Sequence, residues 1–92
     1  MRGEIVFLYV EDDPNDVELV KAALHRQHAG RLFVAEDGRK AMDYLMGADG
    51  FDDREEFPLP NLILVDLKMP RVDGFTFLKW LRRQEVGGLC VA

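Results

Sequence analysis

"NLILVDLKMPRVDG", residues 61–74, is the stretch on which the reading of the fold turns. Four apolar residues, Leu62 to Val65, lead straight into Asp66, and a short polar loop with Met69-Pro70 and Asp73-Gly74 follows. Continuous rather than alternating hydrophobicity marks a strand buried on both faces, as in a parallel sheet. A strand over Leu62–Asp66 therefore carries a carboxylate at its C-terminal end. In an open parallel sheet that is the edge where ligands and reactive groups gather, at the point where strand order reverses. A lone acid at a strand end is ordinarily a solvated cap, so the reading depends on what the fold brings beside Asp66.

Toward the N-terminus, Ile5–Val10 is a second continuous apolar run, and it closes on Glu11-Asp12-Asp13. Asp13-Pro14 opens a helix, with Asp as N-cap and Pro at the first helical position. Val17, Val20 and Leu24, with Ala23 beside them, form an apolar stripe that fades at His28-Ala29-Gly30. Leu32–Ala35 is a short second strand and Glu36-Asp37-Gly38 turns the chain. Ala41, Met42 and Leu45 mark a second helix ending near Gly47. Ala48–Pro60 is a loop whose acids, Asp49, Asp52, Asp53, Glu55 and Glu56, read as a solvated face.

On the C-terminal side, Gly74 begins a third helix, with Phe75, Leu78 and Leu81 on one side and Phe77 and Trp80 nearby as core or interface filling. Gly87-Gly88 breaks it, and Leu89–Ala92 reads as the start of a fourth strand. Strand–helix alternation repeated three times predicts right-handed βαβ units, a parallel sheet and a single α/β domain over residues 1–92.

With strand order 2-1-3, strands one and three are neighbours, and Glu11, Asp12 and Asp66 would meet in one pocket. Such carboxylates oppose one another's ionisation. A hard cation resolves this: Mg²⁺ takes one or two carboxylates together with waters and phosphate oxygens. An aspartate beside that metal is suited to attack a phosphoryl group and form an aspartyl phosphate, with the metal neutralising charge on the phosphoryl oxygens.

Composition narrows the function classes. The net charge is −5, from 12 basic and 17 acidic residues, which argues against nucleic acid and against an anionic membrane surface as partners. No segment approaches the roughly 20 apolar residues of a membrane span, and no secretory leader is expected. Cys90 is the single cysteine, so no internal disulfide can form and a cytoplasmic location is expected. It reads as a small buried hydrophobe. His25 and His28, at i and i+3, are expected on an exposed helix face, because no third metal ligand accompanies them. Lys79, Arg82 and Arg83 form a small solvated basic face.

"VEDDPND" at residues 10–16 and "LILVDLKMPRVDG" at 62–74 resemble the receiver domain of bacterial two-component response regulators. The long acidic loop and the "VEDDP" start are similar, more narrowly, to receivers that partner phytochrome-type kinases. The resemblance implies a flavodoxin-like doubly wound parallel sheet, of order 2-1-3 with a partial fourth strand. It implies a signalling module rather than an enzyme, whose partner is a sensor histidine kinase. Asp66 would accept a phosphoryl group from the kinase histidine. Asp12 would ligate Mg²⁺ directly, Glu11 would act mostly through water, and Lys68 would offer its backbone carbonyl to the metal. Met69 and Pro70 would shape the loop, and Asp13 would remain a helix cap.

The departures carry expectations too. Receivers have five βα units, and this chain has three and the beginning of a fourth, so it reads as a C-terminally truncated receiver. The family's Thr/Ser after strand four and Lys after strand five have no counterpart, and slow phosphoryl chemistry or lost switching is expected. The family's last helix would cover one face of strands one and three. Without it, an apolar patch and an open edge favour a homo-oligomer, with Leu89–Ala92 pairing across chains or elements exchanged. Two alternative functions follow: a remnant or decoy that binds a kinase without relay, and a Mg²⁺-dependent aspartyl-phosphate phosphatase of haloacid-dehalogenase type. The second class wants an Asp two positions after the nucleophile, where this chain has Lys68.

Overall fold

The computed structural model describes residues 5–65, 73–84 and 90–91. In chain order the elements are β1 (Ile5–Val10), α1 (Pro14–Arg26), β2 (Gly30–Ala35), α2 (Gly38–Met46), β3 (Leu62–Val65), α3 (Asp73–Arg82) and β4 (Cys90–Val91). The strands form one parallel sheet in the order β2-β1-β3-β4. The expected 2-1-3 order and partial fourth strand are therefore present. Cys90 and Val91 pair with Leu62 and Ile63 of the same chain; Leu89 and Ala92, the rest of the segment expected to pair across chains, lie outside the described residues.

Register sorts the apolar residues onto two faces. Leu8 lies opposite Phe33 and Ile63, and Val10 opposite Ala35 and Val65. Paired residues share a face, and residues two apart along a strand share it too. Helices α2 and α3 pack together and cover this face, where Leu8, Val10, Ile63 and Phe77 are fully buried, with Ala41, Tyr44 and Leu81 beside them. The opposite face carries Ile5, Phe7, Tyr9, Val34 and Leu64. On that side α1 packs against β2 and contributes no buried residue. Ile5 and Val34 remain 41% and 42% exposed, so the sheet is dry on one side and half-wet on the other.

Local signals set most element ends. The Asp13 side chain accepts a hydrogen bond from the Asn15 N–H at 2.9 Å, as an N-cap should. Asp37 caps α2 in the same way, accepting from the Lys40 N–H at 2.8 Å. Gly47 closes α2 in the left-handed conformation at φ 70°. β2 begins two residues before the expected Leu32, at Gly30, whose φ is +145°. A Cβ there would stand 2.1 Å from the Ile5 carbonyl oxygen, so only glycine lets the two strands approach.

One reading is corrected by packing and two are extended. His28 lies past the end of α1, in the left-handed region at φ 51°, so it does not continue a helix face with His25; both are exposed. In α3 the buried pair is Phe77 and Leu81, whereas Leu78 is half-buried and the Phe75 side chain lies outside the described residues. Phe77 fills the gap between α2 and the sheet and stacks on Trp80 at 6.1 Å. The loop 48–60 does expose its five acids, yet it is not merely a solvated segment. Phe51 and Phe57 pack on Tyr44, at 5.2 and 6.0 Å between ring centroids. The Tyr44 hydroxyl donates to the Pro58 carbonyl at 2.7 Å. Arg54 donates to the carbonyls of Tyr44, Phe57 and Leu45 at 3.0, 3.1 and 3.0 Å. Asn61 then docks the loop onto β1, exchanging two 2.8 Å bonds with the Val6 backbone. Among the described residues no helix is long and apolar enough to cross a membrane.

Candidate functional site

The site sits at the C-terminal ends of β1 and β3, beside the strand order's reversal. Val10 and Val65 are register partners, so the strand running toward Asp66 ends level with the one running into Glu11 and Asp12. Asp66, Lys68, Met69 and Pro70 lie outside the described residues.

Glu11 and Asp12 are adjacent in sequence and unlike in environment. The Glu11 N–H donates to the Ala35 carbonyl at 2.9 Å, which extends the β1–β2 pairing by one residue and fixes the backbone. Its side chain is turned inward, and the residue is only 2% exposed. Oε1 accepts from the Tyr9 hydroxyl and Oε2 from the Asp13 backbone N–H, both at 3.0 Å. A buried carboxylate requires such donors, because desolvation otherwise disfavours its charge. Asp12 is exposed. Both line a pocket of about 300 Å³ with Pro14, Val17, Glu18, Val34 and Glu36.

Hard, anionic oxygen donors at this position fit Mg²⁺ chemistry, which uses one or two carboxylates and keeps several waters. His25 and His28 stand at the far, C-terminal end of α1 and supply no softer ligand here. Among the described residues no group of three or more His, Cys, Asp or Glu is gathered to hold a metal. The expected third carboxylate, Asp66, is not one of the described residues.

Sequence reasoning missed Tyr9, which reads as one more apolar residue in a buried strand. The available signal was its spacing: residues i and i+2 of a strand share a face, which puts its hydroxyl within reach of Glu11. Glu18 and Glu36 also line the pocket; Glu36 was read only as part of a turn.

The family model for the response regulator receiver domain matches residues 7–91. The chain belongs to that family.

Solved structures of response regulators are similar to this receiver domain. Response regulator RPA3017, in red light signaling of R. palustris, is similar at a TM-score of 0.83 and 32% identity, over 95% of this chain and 62% of that one. The bacteriophytochrome response regulator AtBRR is similar at 0.81 and 33%, over 97% and 64%. The Mn²⁺-bound form of response regulator Rcp1, a protein of Synechocystis, is similar at 0.75 and 34%, over 88% and 57%. The receiver domain spans 50%, 31% and 46% of the length of the first three curated relatives it matches.

Proposed function

We propose that this receiver domain takes a phosphoryl group from the histidine of a sensor kinase onto Asp66, in the presence of Mg²⁺. The observation that carries the reading is the pairing of Val10 with Val65 in a chain that matches the family over 7–91. That pairing runs β3, which precedes Asp66 in sequence, alongside the strand that leads into the acidic pair. Asp12 and Asp66 would hold the cation directly, Lys68 would offer its backbone carbonyl, and Glu11 would act through water. Bound there, Mg²⁺ supplies positive charge that stabilises the oxygens of a phosphoryl group in transfer. An Asp66 carboxylate oxygen attacks phosphorus, the phosphorus–nitrogen bond of the phosphohistidine breaks, and the imidazole leaves and takes up a proton.

The domain is read as a cytoplasmic signalling module, not an enzyme in its own right. The names of RPA3017 and AtBRR favour a phytochrome-type kinase as the partner here. The half-covered sheet face, with Ile5 and Val34 exposed, supports self-association, which sedimentation tests.

The main test is incubation with acetyl phosphate and Mg²⁺, followed by intact mass. One acid-stable, base-labile phosphate is expected, lost in Asp66→Asn. A chain that binds a kinase yet takes no label is a decoy rather than a relay. Steady turnover of a small phosphoester would establish the phosphatase reading instead.

A further inference from the structure

We infer that Tyr9 is a positioning residue for the cation site: its hydroxyl holds the Glu11 carboxylate as a water-bridged acceptor and leaves direct ligation to Asp12. This rests on the preceding reading that Glu11 and Asp12 hold a hard divalent cation, and goes beyond it by assigning a role to a strand tyrosine.

The geometry is specific. The two Glu11 oxygens are held from opposite directions along the chain, Oε1 by Tyr9 two residues before and Oε2 by the Asp13 N–H two residues after. Turning the carboxylate to face a cation directly would break one or both bonds of a side chain that is almost wholly buried, where an oxygen left unmet is costly. A carboxylate oxygen accepts more than one hydrogen bond, so an oxygen held this way can still receive a metal-bound water. Asp12, exposed at the mouth of the same pocket, has the shorter side chain and no such burial to overcome. The Asp13 backbone N–H is fixed by the start of α1, while the hydroxyl donor depends on residue 9 being tyrosine. Leucine or valine would fill the half-buried sheet position equally well and would leave Oε1 without this donor.

The consequence is cation discrimination. Mg²⁺ demands near-ideal octahedral geometry and keeps its waters, so it profits from a pre-oriented outer acceptor. Ca²⁺ tolerates irregular and bidentate carboxylates, so it profits less.

The test is calorimetric titration of Mg²⁺ and of Ca²⁺ into the full chain and into Tyr9→Phe. The Mg²⁺ dissociation constant should rise about tenfold, the low end for losing an outer-shell partner, and the Ca²⁺ constant clearly less. Tyr9→Phe should add little in a Glu11→Gln background, because the two changes remove one interaction. An unchanged Mg²⁺ constant in folded Tyr9→Phe overturns the role. So does equal weakening of both cations, which is what a purely structural loss produces. If Tyr9→Phe does not fold, tyrosine ultraviolet difference absorption on the Tyr44→Phe chain reports Tyr9 alone among the tyrosines. A Mg²⁺-dependent shift is expected, and its absence overturns the role. Failure of the wild-type chain to bind Mg²⁺ refutes the cation site and the Tyr9 role with it, whereas wild-type binding that Tyr9→Phe leaves unaltered refutes only the latter.

Discussion

Replacing Arg54 by alanine should destabilise the domain by about 3 kcal/mol. The guanidinium donates to three carbonyls at 3.0–3.1 Å, two of them, Tyr44 and Leu45, in the last turn of α2. A hydrogen bond from a charged donor is worth about 1.5–3 kcal/mol net when buried, and a cation at a helix C-terminus about 0.3–1 kcal/mol. Arg54 is half-buried and its three bonds share one group, so they do not add: the sum of about 5–9 kcal/mol is an upper bound, and partial replacement by water brings the cost to about 3. Ninety-two residues at roughly 0.05–0.15 kcal/mol each place total stability at about 5–14 kcal/mol, so the change is large. With a urea slope near 1 kcal/mol per molar, the midpoint should fall by about 2–3 M. The fluorescence of Trp80, the single tryptophan, stacked on the buried Phe77, follows the transition. Arg54→Lys keeps the charge without the planar fork that serves several carbonyls together, and should recover about 1 kcal/mol. A loss below about 0.5 kcal/mol in Arg54→Ala, within the range of an ordinary surface change, would refute the idea that the loop 48–60 is clamped by this side chain.

The phenol of Tyr44 is pushed up to about 12 from 10.0, chiefly by burial, with Arg54 and Arg31 pulling the other way. Because the folded state favours the neutral phenol, its contribution is complete below pH 10 and is lost as pH rises through 12. Two units correspond to about 2–3 kcal/mol, so urea midpoints should drop across that window and drop less in Tyr44→Phe; equal slopes count against the assignment. Sedimentation at micromolar concentration should show a dimer through the face bearing Ile5 and Val34, returned to monomer by Val34→Lys, and a compact wild-type monomer would remove that surface from consideration.

Much of the architecture was readable because its causes are local. Asp13-Pro14 caps and starts a helix through atoms two residues apart. The uninterrupted runs Ile5–Val10 and Leu62–Val65 need two covered faces, and strand–helix alternation then requires a parallel sheet. The position of the acidic pair was legible because Glu11 and Asp12 directly follow the apolar run of β1, whereas Asp66 lies outside the described residues. Phe77 and Trp80 were legible as core filling from their aromatic character, and Phe77 is fully buried with Trp80 packed against the core. The exposed acids of the loop 48–60 were legible from composition, whereas the partners of Phe51, Arg54 and Phe57 lie on α2 and within the loop and are not marked by spacing.

Residue order alone established the α/β class, the helix caps and the strand that runs into Glu11 and Asp12, since those depend on neighbours along the chain. That Phe77 is fully buried, where Arg54 finds its carbonyls, and that Tyr9 grips Glu11 while Asp12 stays in solvent were settled by packing. Burial and hydrogen-bond satisfaction are decided by side chains that meet only after the sheet has assembled, and spacing along the chain carries little information about them.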